Sequence, residues 1–390
     1  MIRKDVLAEA LKGVDFSDFW NDDLVRPALE YGHSLQHDAV IAVSGTHCSC
    51  NIPNLDTEKR TIINGFGDGL NIDVAPGRVI ERPIQIQSVM SSEYKLPGEQ
   101  EVRIPKLLVK LHNTISVGAG SRVKIIHCDD TVGDTRSLGD NETRITIAED
   151  ADVEYYKLQN INNRSGLINK TYITMARGSH LRTNCITLNG GHIYNHYEIR
   201  MQGEGCELQA DGLYLIDGEQ RCDNYIFVQH NAPHCASREL YKGILDDQAR
   251  ATFNGHVLVM DGAMKTEAYQ NNRNILLTDK AHVETKPFLE IYNDDVKCSH
   301  GSAVGQLDEQ ALFYMRSRGI SERTATTMLS YAFCDEVIHN IGITELRQAI
   351  EDMVKKRLHG ELLPCSNCAI PCNSPCNGDE AHFEIDVTKL

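Results

Sequence analysis

A short pattern that recurs through the β-rich middle of the chain constrains its fold more than any other feature. The pattern is an apolar residue, three mostly polar residues, Ser or Ala, any residue and usually another apolar residue. Copies begin at Val117, Ile147, Met175, Leu245 and Leu277, and a looser copy begins at Val259. In a β-solenoid each coil buries its face only on the next coil, so small residues are needed where the corners stack. The irregularly spaced repeat therefore predicts a β-solenoid.

A β-sandwich or barrel is the competing interpretation, because their hairpins favour Asn-Gly and Asp-Gly turns. Such dipeptides occur at Asn64-Gly65, Asp68-Gly69, Asn189-Gly190, Asp211-Gly212, Asp217-Gly218, Asn254-Gly255 and Asp261-Gly262. The repeat favours the solenoid over these alternatives.

Four segments follow from the change of pattern along the chain. Residues 1–37 are predicted to be a short N-terminal helical segment, 38–304 the β-helix core, 305–360 a helical module and 361–390 a cysteine-rich tail. Three amphipathic helices are expected in the module, with Gly319 and Gly360 as stops and Ser321 and Thr344 as N-caps. The pattern leaves open whether the module docks a partner or only covers the open end of the solenoid.

The charge balance and the missing motifs exclude several functions. With 39 basic and 55 acidic side chains the net charge is −16, and no polybasic run is present, which disfavours nucleic-acid and anionic-membrane binding. Neither a signal peptide nor a run of about 18 apolar residues is found, so a cytoplasmic protein is expected. No nucleotide-binding Gly-x4-Gly-Lys-Ser/Thr loop and no Gly-x-Ser-x-Gly elbow occur, so any ATP hydrolysis belongs to another subunit.

The tail holds the densest set of soft metal ligands among the 13 cysteines. Cys365, Cys368, Cys372 and Cys376 lie close together, separated by prolines, and four thiolates at this spacing suit an iron–sulfur cluster or Zn²⁺. The spacing resembles the ferredoxin run without matching it. Redox-active thiols and a tail without an ion are the alternatives.

A second candidate site lies where the β region gives way to helix. Cys298 and His300 are two residues apart, so on a strand both side chains share a face. Two ligands do not close a four-coordinate site, and the others would come from elsewhere or from another chain. Weaker candidates are His230, His234 and Cys235, the pair His192 and His196, and the run His47, Cys48 and Cys50.

The stretch KPFLEIYNDDVKCSHGSAVGQLDEQALFYMRSRGISERTATTMLSYAF, residues 286–333, resembles the SufB/SufD family of iron–sulfur cluster assembly proteins. Its KCSHGSAVGQLDEQALFYMRSRGIS segment is closer to the SufD branch than to the SufB branch. Residues 233–259 and 265–287 are similar to the same family, and the resemblance covers about residues 75–360.

The resemblance implies a right-handed parallel β-helix, a helical module that binds the ATPase SufC, and a β-helix edge that pairs with SufB or with a second copy. It also implies that His300 lies near the interface where the cluster is built, and that the chain is a scaffold rather than an enzyme. Cys298, two residues before it, is either a cofactor-binding residue or a structural thiol. The tail cysteines are outside the family pattern. The rival hypotheses are a stand-alone metal or cluster carrier that uses the tail, and a secreted β-helix enzyme acting on acidic polysaccharide.

Overall fold

The computed structural model describes residues 41–45, 61–64, 69–81, 83–91, 93–95, 101–103, 106–132 and 136–360. The predicted N-terminal helical segment, the four tail cysteines and the run His47, Cys48 and Cys50 lie outside the described residues. The described part is mainly β, and its strands form two large sheets that face each other.

Successive strands alternate between the two sheets, which is the topology of a solenoid. The first sheet contains β1 (Ile41–Gly45), β3 (Leu70–Val74), β7 (Lys106–Val117), β9 (Arg136–Ile147), β11 (Gly166–Met175), β13 (His192–Met201), β15 (Arg221–His230), β17 (Arg250–Val259) and β19 (His282–Ile291). The second contains β2 (Thr61–Asn64), β4 (Ile84–Ser91), β8 (Arg122–Val132), β10 (Asp152–Asn160), β12 (His180–Asn189), β14 (Glu207–Ile216), β16 (Ala236–Leu245), β18 (Thr266–Leu276) and β20 (Val296–Gly305).

Strand pairing is parallel within both large sheets except between β1 and β3. A separate antiparallel pair consists of β5 (Glu93–Lys95) and β6 (Glu101–Arg103). The parallel β-solenoid prediction is confirmed, and the sandwich and barrel alternatives are wrong. The Asp217-Gly218 dipeptide lies at a corner between coils, where Gly218 has a φ of 57°.

The predicted small residues lie at the corners between coils. Ser121, Ala151, Ser179, Ala249 and Ala281 are all buried there. No copy of the sequence repeat begins between Met175 and Leu245, because the corners in that interval carry other residues. Two of them, Cys206 and Cys235, are fully buried thiols in the same structural place as Ser179.

Three helices follow the last strand: α1 (Glu309–Ser317), α2 (Glu322–His339) and α3 (Thr344–His359). Ser321 caps α2, since its hydroxyl accepts a hydrogen bond from the Thr324 N–H at 3.1 Å. The prediction of Thr344 as a cap is wrong: the cap is Ile343, and Thr344 is the first helical residue. Gly360 ends α3 in the left-handed conformation that glycine adopts without strain.

The second and third helices pack on the outer face of the second sheet. Val337, Ile338 and Ile350 form one hydrophobic cluster with Ile186 and Leu213 from the strands. These two helices therefore cover the side of the solenoid, and the alternative in which the module only covers the open end is wrong.

Candidate functional site at the open end of the solenoid

Both large sheets end at the same end of the solenoid, with β19 and β20 as their last strands. Within the described residues, each of these strands pairs on one side only. Apolar side chains are exposed here, including Phe288 at 54% and Tyr292 at 58%. An unpaired strand edge with exposed apolar side chains is a template for another chain.

Cys298 and His300 both lie on β20, at this open end. Cys298 is opposite Ala268 and packs beside Val257 and Val259, so its side chain lies on the inward face. His300 is two residues further along and shares that face. Its side chain is exposed because no further coil covers it among the described residues.

His300 is the last member of a row of inward-facing residues that runs through the second sheet. The register places Tyr155, Thr183, Ala210, Glu239 and Gln270 side by side on successive strands, with His300 opposite Gln270. All five preceding residues are buried. The histidine therefore lies directly over the interior of the solenoid.

A buried polar pair lies immediately behind His300. The Gln270 side-chain amide donates to Glu239 Oε2 at 2.8 Å. Burial raises the pKa of the Glu239 carboxyl to about 8, so this group is mainly neutral at pH 7. Partial burial likewise raises the pKa of the Cys298 thiol, which favours its protonated form.

Cys298 and His300 do not form a complete metal site by themselves. In the described part of the chain, no three side chains of His, Cys, Asp or Glu are grouped to hold a metal ion. A cysteine that ligates a metal must lose its proton, and a histidine must be neutral. This end of the solenoid provides an imidazole and a nearby protonated thiol. A metal site here would need further ligands from elsewhere.

Comparison with known proteins decides the family. The SUF system FeS cluster assembly, SufBD core domain model matches residues 103–333, more than half of the chain. The chain belongs to this SufBD family.

Its relatives include iron–sulfur cluster assembly protein SufD of Escherichia coli, 32% identical over 63% of this chain and 58% of the relative. An iron–sulfur cluster assembly SufBD family protein of Synechocystis is 33% identical over 65% of this chain and 56% of the relative. Protein ABCI7, chloroplastic, of Arabidopsis thaliana is 29% identical over 75% and 62%. This SufBD chain therefore spans less than two thirds of the length of these curated relatives. None of its helices in the described part is long and apolar enough to cross a membrane.

The weaker histidine candidates do not come together in this SufBD chain. His230 is buried inside the solenoid and shares a hydrogen bond of 2.9 Å with the Ser237 hydroxyl, while His234 lies in a corner with a φ of 58°. His192 pairs with Asp223 at 2.9 Å. His196 lies four residues along the same strand, about 13 Å away at the usual rise of a strand. Neither group forms a metal site.

Two features of the interior were not predicted from the sequence. Lys157 and Asp129 form a fully buried ion pair at 2.7 Å between the sheets, in strands where a charged residue would be expected to face water. Cys206 and Cys235 adjoin at successive corners, and a hydrogen bond from Cys235 lowers the pKa of the Cys206 thiol below its usual value. The repeat could not have revealed these cysteines, because Gln202 and Asn231 lie four residues before Cys206 and Cys235, where the pattern requires an apolar residue.

Proposed function

We propose that this chain is a SufD-like scaffold subunit of a SufBCD-type iron–sulfur cluster assembly complex. In this role it pairs with a SufB-like subunit at the open end of the solenoid and binds a SufC-like ATPase through its helices. It performs no ATP hydrolysis of its own. The cluster is its cargo, held transiently between the two solenoid chains. The observation that carries the proposal is the position of His300 and Cys298 on the last strand, where their ligand set is incomplete.

The open end is suited to pairing with another chain. The backbone edge of β20 is unpaired within the described residues, and Phe288 and Tyr292 expose large aromatic surfaces next to it. Aromatic residues are enriched at the centres of protein interfaces. A SufB-like chain seated here would cover these side chains and supply the ligands that the site lacks. A second copy of this chain is the alternative occupant.

The helices offer a second surface. No residue of α1 is buried, and Phe313 and Tyr314 expose 75% and 58% of their surface. In contrast, α2 is held on the second sheet. The buried Lys242 of β16 donates to the Phe333 carbonyl oxygen at 2.8 Å and pairs with Glu336 at 2.6 Å. A SufC-like ATPase that moves α1 would therefore act on an element that is connected to the solenoid through α2 and, by residues 306–308, directly to β20.

The proposal is tested by cluster assembly on the purified complex of this chain with SufB-like and SufC-like partners. We expect His300→Ala to reduce the rate of cluster formation at least tenfold without loss of the complex. The matched control is His282→Ala, which removes an exposed histidine at the start of β19, the last strand of the other sheet. Equal rates for the two variants, or no complex with either partner, would overturn the proposal.

A further inference from the structure

The buried residues behind His300 form an arrangement that the cluster chemistry alone does not explain. Gln270 and Glu239 are each no more than 3% exposed, yet both carry a polar group in the solenoid interior. The Gln270 amide nitrogen satisfies Glu239 Oε2. Gln270 Oε1 is buried and has no hydrogen-bond partner among the described residues. Glu239 Oε1 is likewise buried without a hydrogen-bond partner. A carbonyl oxygen accepts two hydrogen bonds, so Gln270 Oε1 has capacity for a second donor even when the neutral Glu239 carboxyl donates to it.

A glycine on the opposite sheet leaves the space that the Gln270 side-chain amide occupies. Gly255 of β17 faces Gln270, and a Cβ added at Gly255 would lie 2.3 to 2.6 Å from the three terminal atoms of the Gln270 side chain. Any other residue at this position would therefore displace the amide. The glycine and the bond to Glu239 together fix the amide next to the last coil.

In the row of inward-facing residues, His300 is the next side chain after Gln270, on the last strand of the sheet. The two residues are directly opposite each other on β20 and β18, and adjacent strands are about 4.8 Å apart. At this spacing a ring N–H of His300 is the candidate donor for Gln270 Oε1. Histidines that bind metals usually donate their other ring N–H to a carbonyl or carboxylate, which fixes the tautomer and the ring orientation.

We propose that Gln270 is the positioning residue for His300: its side-chain oxygen accepts a ring N–H and leaves the other ring nitrogen free to bind iron, while Glu239 and Gly255 hold the Gln270 amide in place. This inference rests on the role of His300 in the proposed function. It adds that the ligand is oriented by this chain itself, before any partner is bound.

The test is nitrogen-15 NMR of the histidine rings in the full-length chain without partner or metal. We expect a ring N–H proton of His300, assigned by its absence in His300→Asn, that is slow enough in exchange to be observed. Gln270→Met should abolish this signal and average the two ring nitrogen shifts, whereas Gln270→Glu, which keeps an acceptor, should retain it. Glu267→Gln, on the exposed outer face of the same strand, should leave the signal unchanged.

A rapidly exchanging His300 ring in the unmodified chain would overturn the inference, and this measurement requires no variant to fold. A signal that persists in folded Gln270→Met would also overturn it. Because the readout needs neither partner nor cluster, it can fail while the assembly function stands. It can equally succeed if that function fails.

Discussion

The protonation state of the buried Glu239 carboxyl makes the interior behind His300 sensitive to pH. Burial raises its pKa from the usual 4.5 to about 8. Between these two values the folded chain keeps a proton that the unfolded chain has released. The contribution of Glu239 to stability therefore falls as the pH rises from about 4.5 to about 8, and it is constant above that range.

We predict that Glu239→Gln becomes more stable relative to the unmodified chain as the pH rises, by up to about 1.4 kcal/mol for each pH unit between pH 5.5 and 7.5. The reason is that the amide does not titrate. Urea unfolding at several pH values measures the difference, with Glu267→Gln as the control at an exposed position. Parallel stability profiles for Glu239→Gln and the unmodified chain would contradict the burial of a protonated carboxyl.

Individual residues were predictable from the sequence only where the pattern was local. The spacing of Cys298 and His300 on one strand face was sufficient to group them. Their neighbours Gln270 and Glu239 were not predicted, because contacts between coils depend on the register of parallel strands. A parallel pair is connected by a whole coil, and its length varies along this chain. For the same reason, the sequence did not predict that Lys157 pairs with Asp129.

At the scale of elements, one arginine near the end of the third helix adds polar contacts with the solenoid to the hydrophobic packing of that helix. Arg357 donates to the Leu188 carbonyl oxygen at 2.7 Å and to Gln220 Oε1 at 3.1 Å, and it pairs with Asp217. Its side chain is largely buried in this contact. The amphipathic pattern predicted the helix but not its place, because a helical stripe shows that a face is buried without showing against what.

We predict that Arg357→Ala lowers the free energy of unfolding by about 2–4 kcal/mol, since hydrogen bonds to charged groups are among the stronger ones and the partners are left partly buried. The matched control is Arg347→Ala on the same helix, for which we expect a change within about 0.5 kcal/mol. Urea unfolding followed by circular dichroism compares the two. Equal losses would show that the helix is not held through Arg357.

The first helix differs from the other two because its aromatic side chains contact solvent. We predict that Phe313→Asp weakens binding of a SufC-like ATPase at least tenfold, or about 1.4 kcal/mol, while the solenoid remains folded. Calorimetric titration measures the affinity. Phe288→Asp, at the open end, is the control and should leave this binding unchanged. A normal affinity for Phe313→Asp would place the ATPase elsewhere.

At the scale of the whole molecule, the fold exposes two surfaces: the open end with His300, and the first helix. The repeat of small corner residues was enough to predict the solenoid, because each coil must pack on the next. It did not determine where the helices lie. That position depends on the apolar outer face of the second sheet, including Ile186 and Leu213, and strand alternation does not distinguish this face from the interior.

The tail cysteines stay a predicted ligand set. We predict that anaerobic reconstitution of the isolated chain loads iron through Cys365, Cys368, Cys372 and Cys376, so truncation after Glu361 should abolish most of the bound iron. Iron counting and visible absorption measure the loss, and His300→Ala in the intact chain is the control that should retain it. Unchanged iron binding after truncation would exclude the tail as the site.

The central claim is that the open end of the solenoid is where a SufB-like chain binds. Hydrogen–deuterium exchange of the full chain, with and without that partner, tests it most directly, because unpaired edge amides become protected when another chain covers them. We predict that new protection is concentrated in residues 282–305, which form the last coil and contain Cys298 and His300. Protection confined to other strands or to the helices, with residues 282–305 unchanged, would contradict this account.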